Sequence, residues 1–145
     1  MLPTEIDLES QVTSNVSLFA TSGDKAMVHN GFLTAYLGVR AALLSQLRAI
    51  IRNPGLSGGW TLYITGHSLG GALATIFAYD VCTSGTKGGG EKSAGISSVV
   101  VHSFGSPRVG NKAFAEAFES RIDSSWRFSN VSDIIPTVPR FLGYR

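Results

Sequence analysis

Residues 60–79 read WTLYITGHSLGGALATIFAY and contain a G-x-S-x-G pattern at positions 66–70. The first part, Trp60 to Thr65, is short, aromatic and β-branched, which favours a buried parallel strand. The second part, Leu69 to Val81, places apolar residues at the spacing of one helix face. These are Leu69, Ala72, Leu73, Ile76 and Phe77. The stretch therefore predicts a strand that turns directly into a helix at Ser68.

A sharp strand-to-helix turn of this kind presents a serine hydroxyl as a nucleophile. A side chain two residues before or after the serine would collide, which explains glycine at positions 66 and 70, and the doubled Gly70-Gly71 lets the helix approach the sheet. The helix that follows directs its positive dipole end at a developing oxyanion. The pattern alone is weak in a chain with 17 glycines, and the alternative is a turn that only packs a helix onto a strand. The flanking strand and helix favour Ser68 as the nucleophile.

The composition limits the class of protein. The 145 residues suit one domain, with 43% hydrophobic and 15% charged residues. A net charge of +2, with scattered Lys and Arg, does not indicate nucleic-acid or anionic-membrane binding. No apolar run is long enough for a transmembrane segment, and the N-terminus lacks the layout of a signal peptide, so a cytoplasmic location is expected by default. The single cysteine, Cys82, excludes an internal disulfide.

Further strands and helices are predicted on both sides of this stretch. Met1 to Lys25 is a polar, variable segment, and Thr83 to Gly95 is a flexible connection. An apolar stripe predicts a helix over about Thr34–Arg52, with Leu33, Tyr36, Leu37, Leu43, Leu44, Leu47, Ile50 and Ile51 on one face. Strands are predicted at Ser97–Phe104, whose run of valines indicates cover on both faces, and at Ser125–Asn130, with a helix capped by Asn111 between them.

Strands that alternate with helices at these spacings predict a parallel α/β sheet with right-handed crossovers. Such sheets carry their chemistry at the carboxyl ends of the strands. Ser68 follows the first predicted strand and Asp133 follows the third. Both residues are therefore expected at the same edge of the sheet.

Four blocks of sequence resemble the class 3 (fungal-type) lipase domain of the α/β-hydrolase superfamily, in that family's order. They are VHNGF at 28–32, TGHSLGGALA at 65–74, FGSPRVGN at 104–111 and RFSNVSDIIP at 127–136. The resemblance implies a three-layer, mostly parallel sheet with flanking helices over residues 26–145, incomplete at both ends. It also implies hydrolysis of acyl-glycerol or related lipid esters at a lipid–water interface, with no metal or organic cofactor.

The resemblance matches Ser68 to the nucleophile, Asp133 to the triad acid and the backbone N–H of Leu69 to an oxyanion donor. The chain order agrees, because such triads run Ser, Asp and then His. Asp123 is a competing carboxylate, but it lies at a helix end. Glu116 and Glu119 are expected on the solvated face of their helix. The alternative for Asp133 is a loop carboxylate that begins a turn.

The chain has three histidines, and all of them precede Asp133. His67 is expected to pack inside the fold, His102 to be a hydrogen-bonded core residue, and His29 to fix the start of the next helix. The family's upstream Arg-Gly-Ser/Thr segment, which supplies a second oxyanion donor, has no match. Since loss of the base costs on the order of a million-fold in turnover, these 145 residues alone are expected to hydrolyse esters feebly or not at all. The alternatives are a non-catalytic binding or regulatory module on a hydrolase scaffold, and a phospholipase or feruloyl-esterase relative.

Overall fold

The computed structural model describes residues 26–52, 59–87 and 95–139, and these ranges contain three helices and three strands. The elements are α1 (Asn30–Ile51), β1 (Trp60–His67), α2 (Leu69–Thr83), β2 (Ile96–Phe104), α3 (Lys112–Glu119) and β3 (Ser124–Phe128), followed by a 3-10 turn at Ile135–Thr137. All the predicted helices and strands form, with ends that differ by a few residues. The predicted variable segment 1–25 and the glycine run 88–90 lie outside the described residues.

The three strands form one parallel sheet in the order β1-β2-β3. Neighbouring strands are consecutive in the chain, so one helix, α2 or α3, lies in each crossover. Right-handed crossovers between consecutive neighbours place both helices on the same face of the sheet. Burial agrees, because Ile64 of β1 and Val99, Val101 and Ser103 of β2 are buried. The predicted parallel α/β sheet is confirmed.

The opposite face of the sheet, called here the open face, carries aromatic side chains. Tyr63 and Trp126 expose 69% and 60% of their surface, and Phe104 and Phe128 also remain exposed. Phe104 and Phe128 are paired in register and their rings stack at 4.9 Å. Within the described ranges the helices cover only one face, so this part of the chain shows two of the three predicted layers.

His102 lies on the open face, and the prediction of a hydrogen-bonded core residue is wrong. Its half-buried ring meets Phe128 edge-on, with the centroids 6.1 Å apart. The run of valines around His102 predicted cover on both faces. The buried positions are instead Val99 and Val101, on the helix-covered side. Strand alternation places His102 on the other side.

Helix α1 packs along α2 with a narrower face than predicted. Leu33, Tyr36 and Leu44 are buried, and Leu47 and Ile51 pack against the core. The predicted stripe was too broad, because three of its members are exposed: Leu37, Leu43 and Ile50. The buried face follows helical spacing through positions 33, 36, 40, 44, 47 and 51, and position 40 is an arginine.

A charged cluster of Tyr36, Arg40 and Asp80 joins α1 to α2. Asp80 is fully buried, and Arg40 binds it through two hydrogen bonds, from Nε to Oδ2 at 2.6 Å and from Nη2 to Oδ1 at 3.0 Å. The Tyr36 hydroxyl donates to the same carboxylate. Burial raises the pKa of the Tyr36 phenol, and the Asp80 carboxylate raises it further, so the phenol remains a donor at neutral pH. The cluster satisfies a charge that would otherwise be isolated in the core.

Asn111 caps α3 as predicted and also ties the start of the described chain to it. Its side-chain oxygen accepts from Phe114 N at 2.9 Å and from Met27 N at 3.0 Å.

His29 is the N-cap residue of α1, where its backbone oxygen accepts from two amides, in line with the prediction for this residue. None of the helices within 26–52, 59–87 and 95–139 is both long and apolar enough to cross a bilayer.

Candidate active site

Strand β1 and helix α2 are separated by one residue, Ser68. Its backbone has φ 52° and ψ −124°, and it is the one non-glycine residue of the described ranges with a positive φ. This left-handed conformation costs about 1–3 kcal/mol for a residue with a Cβ. The turn from strand to helix therefore takes place at the predicted serine, under backbone strain of the kind that clusters at functional sites.

Two glycines, Gly66 and Gly71, make this turn possible, and the predicted collision is confirmed at Gly66 alone. A Cβ at Gly66 would lie 2.1 Å from the carbonyl oxygen of Gly70, and a Cβ at Gly71 would lie 2.7 Å from Cβ of Ser106. A Cβ at Gly70 would meet nothing within 4 Å. The predicted collision at Gly70 is wrong, because position 70 faces outward on α2 and contributes only its backbone to the tight approach.

Replacing Ser68 with glycine is expected to raise the free energy of unfolding by about 1 kcal/mol, because glycine adopts this backbone without a Cβ clash. Ser68→Ala is the matched control, since it removes the hydroxyl and keeps the Cβ. Urea denaturation measures the free energy of unfolding of both variants, and that of Ser68→Gly is expected to be the higher. Equal stability of the two would show that position 68 is not strained.

Ser68 and Asp133 lie at the same edge of the sheet, on either side of the end of β2. The Ser68 N–H donates to the Phe104 oxygen at 2.9 Å, and the Gly105 N–H donates to the Phe128 oxygen at 2.8 Å. Oδ2 of Asp133 lies 2.9 Å from the point that a Cβ of Gly105 would occupy. The structure therefore brings the two predicted residues together at the carboxyl ends of the strands.

The carboxylate of Asp133 is held in a short turn. Its Oδ1 accepts from Ile135 N at 2.9 Å, and its own N–H donates to the Asn130 oxygen at 3.1 Å. One carboxylate oxygen is thus fixed by the loop, and Oδ2 is directed at Gly105. The loop-turn alternative for Asp133 describes part of its geometry, but it does not account for the direction of Oδ2.

The competing carboxylate, Asp123, lies at the opposite end of β3 and has a structural role. It accepts from Lys87 Nζ at 2.5 Å and from Val99 N at 2.8 Å. The hydrogen bond from Lys87 and the one from Val99 lower the pKa of the Asp123 carboxyl. Glu116 and Glu119 are exposed on α3, as predicted.

His67 is exposed, so the prediction that it packs inside the fold is wrong. It is the last residue of β1, and alternation places it on the same side as the exposed Tyr63 and Thr65. Its Nε2 lies 3.6 Å from the point that a Cβ of Gly105 would occupy. His67 and the Asp133 carboxylate therefore both border Gly105.

The first N–H group of α2 belongs to Leu69, the predicted oxyanion donor. Within the described ranges this N–H has no hydrogen-bond acceptor, as is usual for the first amides of a helix. The Leu69 side chain is 46% exposed. On the loop that contains Asp133, the side chains of Val131 and Ile134 are also largely exposed. Both the free amide and the apolar side chains lie at the edge that carries Ser68.

Arg127 connects the loop after β2 to the loop after Asp133, a role that the sequence did not reveal. Its Nη2 donates to the Ser106 oxygen at 2.7 Å and to the Pro136 oxygen at 2.8 Å. Burial lowers the pKa of its guanidinium, and the charge of Arg108 lowers it further. A cavity of about 500 Å³ lies beside Arg127, between α3 and β3. Neither Ser68 nor Asp133 lines this cavity.

The sequence of this chain matches a known family. A family model described as Lipase (class 3) matches residues 4–142. The chain belongs to the class 3 lipase family. The resemblance of the four sequence blocks is therefore confirmed, and with it the α/β-hydrolase type of sheet.

Relatives in the class 3 lipase family come from plants and fungi. Phospholipase A1-II 1 of Oryza sativa subsp. indica is 38% identical over an alignment of 134 residues, and the match covers 85% of this chain and 32% of that protein. Secreted mono- and diacylglycerol lipase A of Penicillium camembertii is 29% identical over an alignment of 123 residues, and the match covers 83% of this chain and 35% of that protein. The chain spans about a third of the length of these two relatives.

Solved structures of fungal lipases share the fold. Rhizomucor miehei triacylglyceride lipase matches with a TM-score of 0.66 at 29% identity, covering 94% of this chain and 49% of that chain. Lip2 lipase from Yarrowia lipolytica matches with a TM-score of 0.68 at 25% identity, covering 90% of this chain and 42% of that chain. The described sheet and helices thus correspond to somewhat less than half of a fungal lipase.

Proposed function

We propose that this chain carries the nucleophile and the acid of a serine hydrolase that cleaves lipid esters through an acyl-enzyme on Ser68. The observation that carries the proposal is the joint placement of a strained Ser68 and the Asp133 carboxylate on either side of Gly105. Membership of the class 3 lipase family supports it. Triad chemistry needs only protein groups and water, so the proposal involves no cofactor.

Each group has a stated task in this mechanism. Oγ of Ser68 attacks the ester carbonyl and gives its proton to an imidazole base, and the carbonyl oxygen becomes an oxyanion. The Leu69 N–H, which has no acceptor within the described ranges, donates to that oxyanion at the positive end of α2. The base then protonates the leaving alcohol, and water attacks the acyl-enzyme. Asp133 accepts from the base and holds its tautomer.

The base is proposed to be a histidine in addition to the three in this chain. His29 is the N-cap of α1, and His102 contacts Phe128 on the open face. His67 borders Gly105 next to Asp133, but it is the immediate chain neighbour of Ser68 at the end of an extended strand. The chain alone is therefore expected to react slowly at Ser68.

The proposed substrates are esters with an apolar acyl group. The side chains of Leu69, Val131 and Ile134 are exposed around the candidate site, and they would contact an acyl chain or a lipid–water interface. The names of the relatives include phospholipase A1 and mono- and diacylglycerol lipase. Phospholipids and acylglycerols share the carboxylic ester that the proposed mechanism cleaves, so both are proposed as substrates.

Labelling with a fluorophosphonate probe in the presence of added imidazole tests the proposal. General-base catalysis contributes about 10²–10⁴-fold, so imidazole that enters between Ser68 and Asp133 is expected to accelerate labelling about tenfold. Peptide mapping should find the label on Ser68. The acceleration should disappear in Asp133→Asn, and the label in Ser68→Ala.

The control variant is His67→Gln, which is expected to keep the imidazole-dependent labelling. Loss of labelling in this variant would make His67 the base and would overturn the assignment of a further histidine. No labelling of Ser68 under any condition would contradict the hydrolase proposal and would favour a non-catalytic binding module. The rates at which short- and long-chain nitrophenyl esters are hydrolysed then measure the preference for acyl chain length.

A further inference from the structure

We propose that Gly105 is the positioning residue for the Asp133 carboxylate, because its missing side chain leaves the space that Oδ2 occupies. An ideal Cβ at position 105 would lie 2.9 Å from Oδ2. Carbon and oxygen at that separation overlap, since non-bonded heavy atoms have their optimum at about 3.5–4.0 Å. The inference rests on the proposed function, in which this carboxylate orients the base.

The backbone at Gly105 is fixed by the sheet. Its N–H donates to the Phe128 oxygen at 2.8 Å, and the preceding Phe104 oxygen accepts from Ser68 N at 2.9 Å. Gly105 also has φ +56°, in the left-handed region that favours glycine. A methyl group at this position could not retreat without disturbing the bonds that join the ends of β1, β2 and β3.

The carboxylate of Asp133 is equally constrained. Its Oδ1 is held by Ile135 N at 2.9 Å, and its backbone N–H is held by the Asn130 oxygen. Nε2 of His67 lies 3.6 Å from the same Cβ point at Gly105. A methyl group at position 105 would therefore turn the carboxylate and strain its bond to Ile135 N. Because triad geometry tolerates displacements of only about 0.5 Å, the absent side chain fixes where Asp133 can accept from a base.

The matched control is Gly85, which has φ +70° and nothing within 4 Å of its Cβ point. Gly85→Ala and Gly105→Ala both place a Cβ on a residue with positive φ, and only the second adds the overlap with Asp133. The readout is the Ile135 amide resonance, whose pH-dependent shift reports the carboxylate that it is bonded to. Gly105→Ala is expected to lose most of the amplitude of this shift. Gly85→Ala is expected to retain it, and an unchanged shift in Gly105→Ala would overturn the proposal.

A second arm applies if Gly105→Ala does not fold. In an Asp133→Ala background the overlap is gone, so Gly105→Ala is expected to fold and to show a cooperative urea transition. Failure of this double variant to fold would overturn the proposal.

The imidazole-dependent labelling of Ser68 separates the inference from the proposed function. Gly105→Ala is expected to remove most of the about tenfold acceleration, since misplacing a catalytic group by about 1 Å can cost about 100-fold, and to add nothing in Asp133→Asn. A changed Ile135 resonance with undiminished labelling would support the Gly105–Asp133 contact and would contradict the catalytic role of Asp133.

Discussion

Replacing Gly66 with alanine is expected to destabilise the protein by about 4 kcal/mol or more. The new methyl carbon would lie 2.1 Å from the carbonyl oxygen of Gly70, 2.3 Å from its carbonyl carbon and 2.6 Å from Gly71 N. All three atoms belong to the backbone of the first turn of α2, so no side-chain rotation relieves the overlap. Helix α2 would have to move away from β1. Since domains of this size have a total stability of about 5–15 kcal/mol, much of the population would unfold.

Thermal and urea denaturation followed by circular dichroism measure this loss. Gly70→Ala is the matched control, because position 70 lies four residues away in the same motif and its Cβ would meet nothing within 4 Å. Alanine in a helix is more favourable than glycine by about 0.5–1 kcal/mol, so this variant is expected to be as stable as the wild type or more stable. A Gly66→Ala protein with the melting temperature of the wild type would show that the strand-to-helix turn at Ser68 can widen without a loss of stability.

Replacing Arg40 with leucine is expected to lower the free energy of unfolding by about 3–5 kcal/mol. Asp80 has no exposed surface, and the Arg40 side chain is 19% exposed. Among the described residues, the variant leaves the buried carboxylate with only the Tyr36 hydroxyl as a side-chain donor. The cost of desolvating that uncompensated charge, rather than the lost attraction, determines the size of the effect.

A double variant separates these two contributions. Arg40→Leu with Asp80→Leu removes both charges, and it is expected to recover most of the stability, since a buried ion pair is often replaced by apolar residues at little cost. The exposed pair of Lys112 and Glu116, 3.4 Å apart on α3, provides the surface control. Lys112→Leu should cost only about 0.3–0.5 kcal/mol. Similar losses at positions 40 and 112, measured by urea denaturation, would contradict the role assigned to burial.

The elements and the edge that carries the candidate site could be predicted from sequence because their signals are local. The periodicity of residues 60–79 changes from strand to helix at Ser68, and the valines of β2 and the cap at Asn111 mark their own elements. Parallel topology then follows from the order of the elements, and the placement of Asp133 follows from topology. The elements need only the sequence near each of them, and the topology and the placement of Asp133 need only the order of those elements along the chain.

The predictions that failed depend on contacts between residues that are far apart in the sequence. Gly70 and Gly71 are indistinguishable in sequence, and only the position of Ser106 shows that the second is the one in close contact. The outward placement of His67 and His102 depends on which face of the sheet the helices cover. The pairing of Arg40 with Asp80 joins two helices, and its only signal was a lone aspartate within an apolar helix.

The five-residue strand β3 has a consequence for how the two proposed groups stay together. The loop that contains Asp133 follows β3, and all but one of the residues of β3 are exposed. Regions with few buried contacts open first, at free energies well below that of global unfolding. Within the described ranges β3 is an outermost strand. The strand-to-helix turn at Ser68 belongs to the preceding β-α-β unit, which can persist while β3 detaches. Fraying at one margin of the sheet would then separate the carboxylate from the hydroxyl in a molecule that is otherwise still folded.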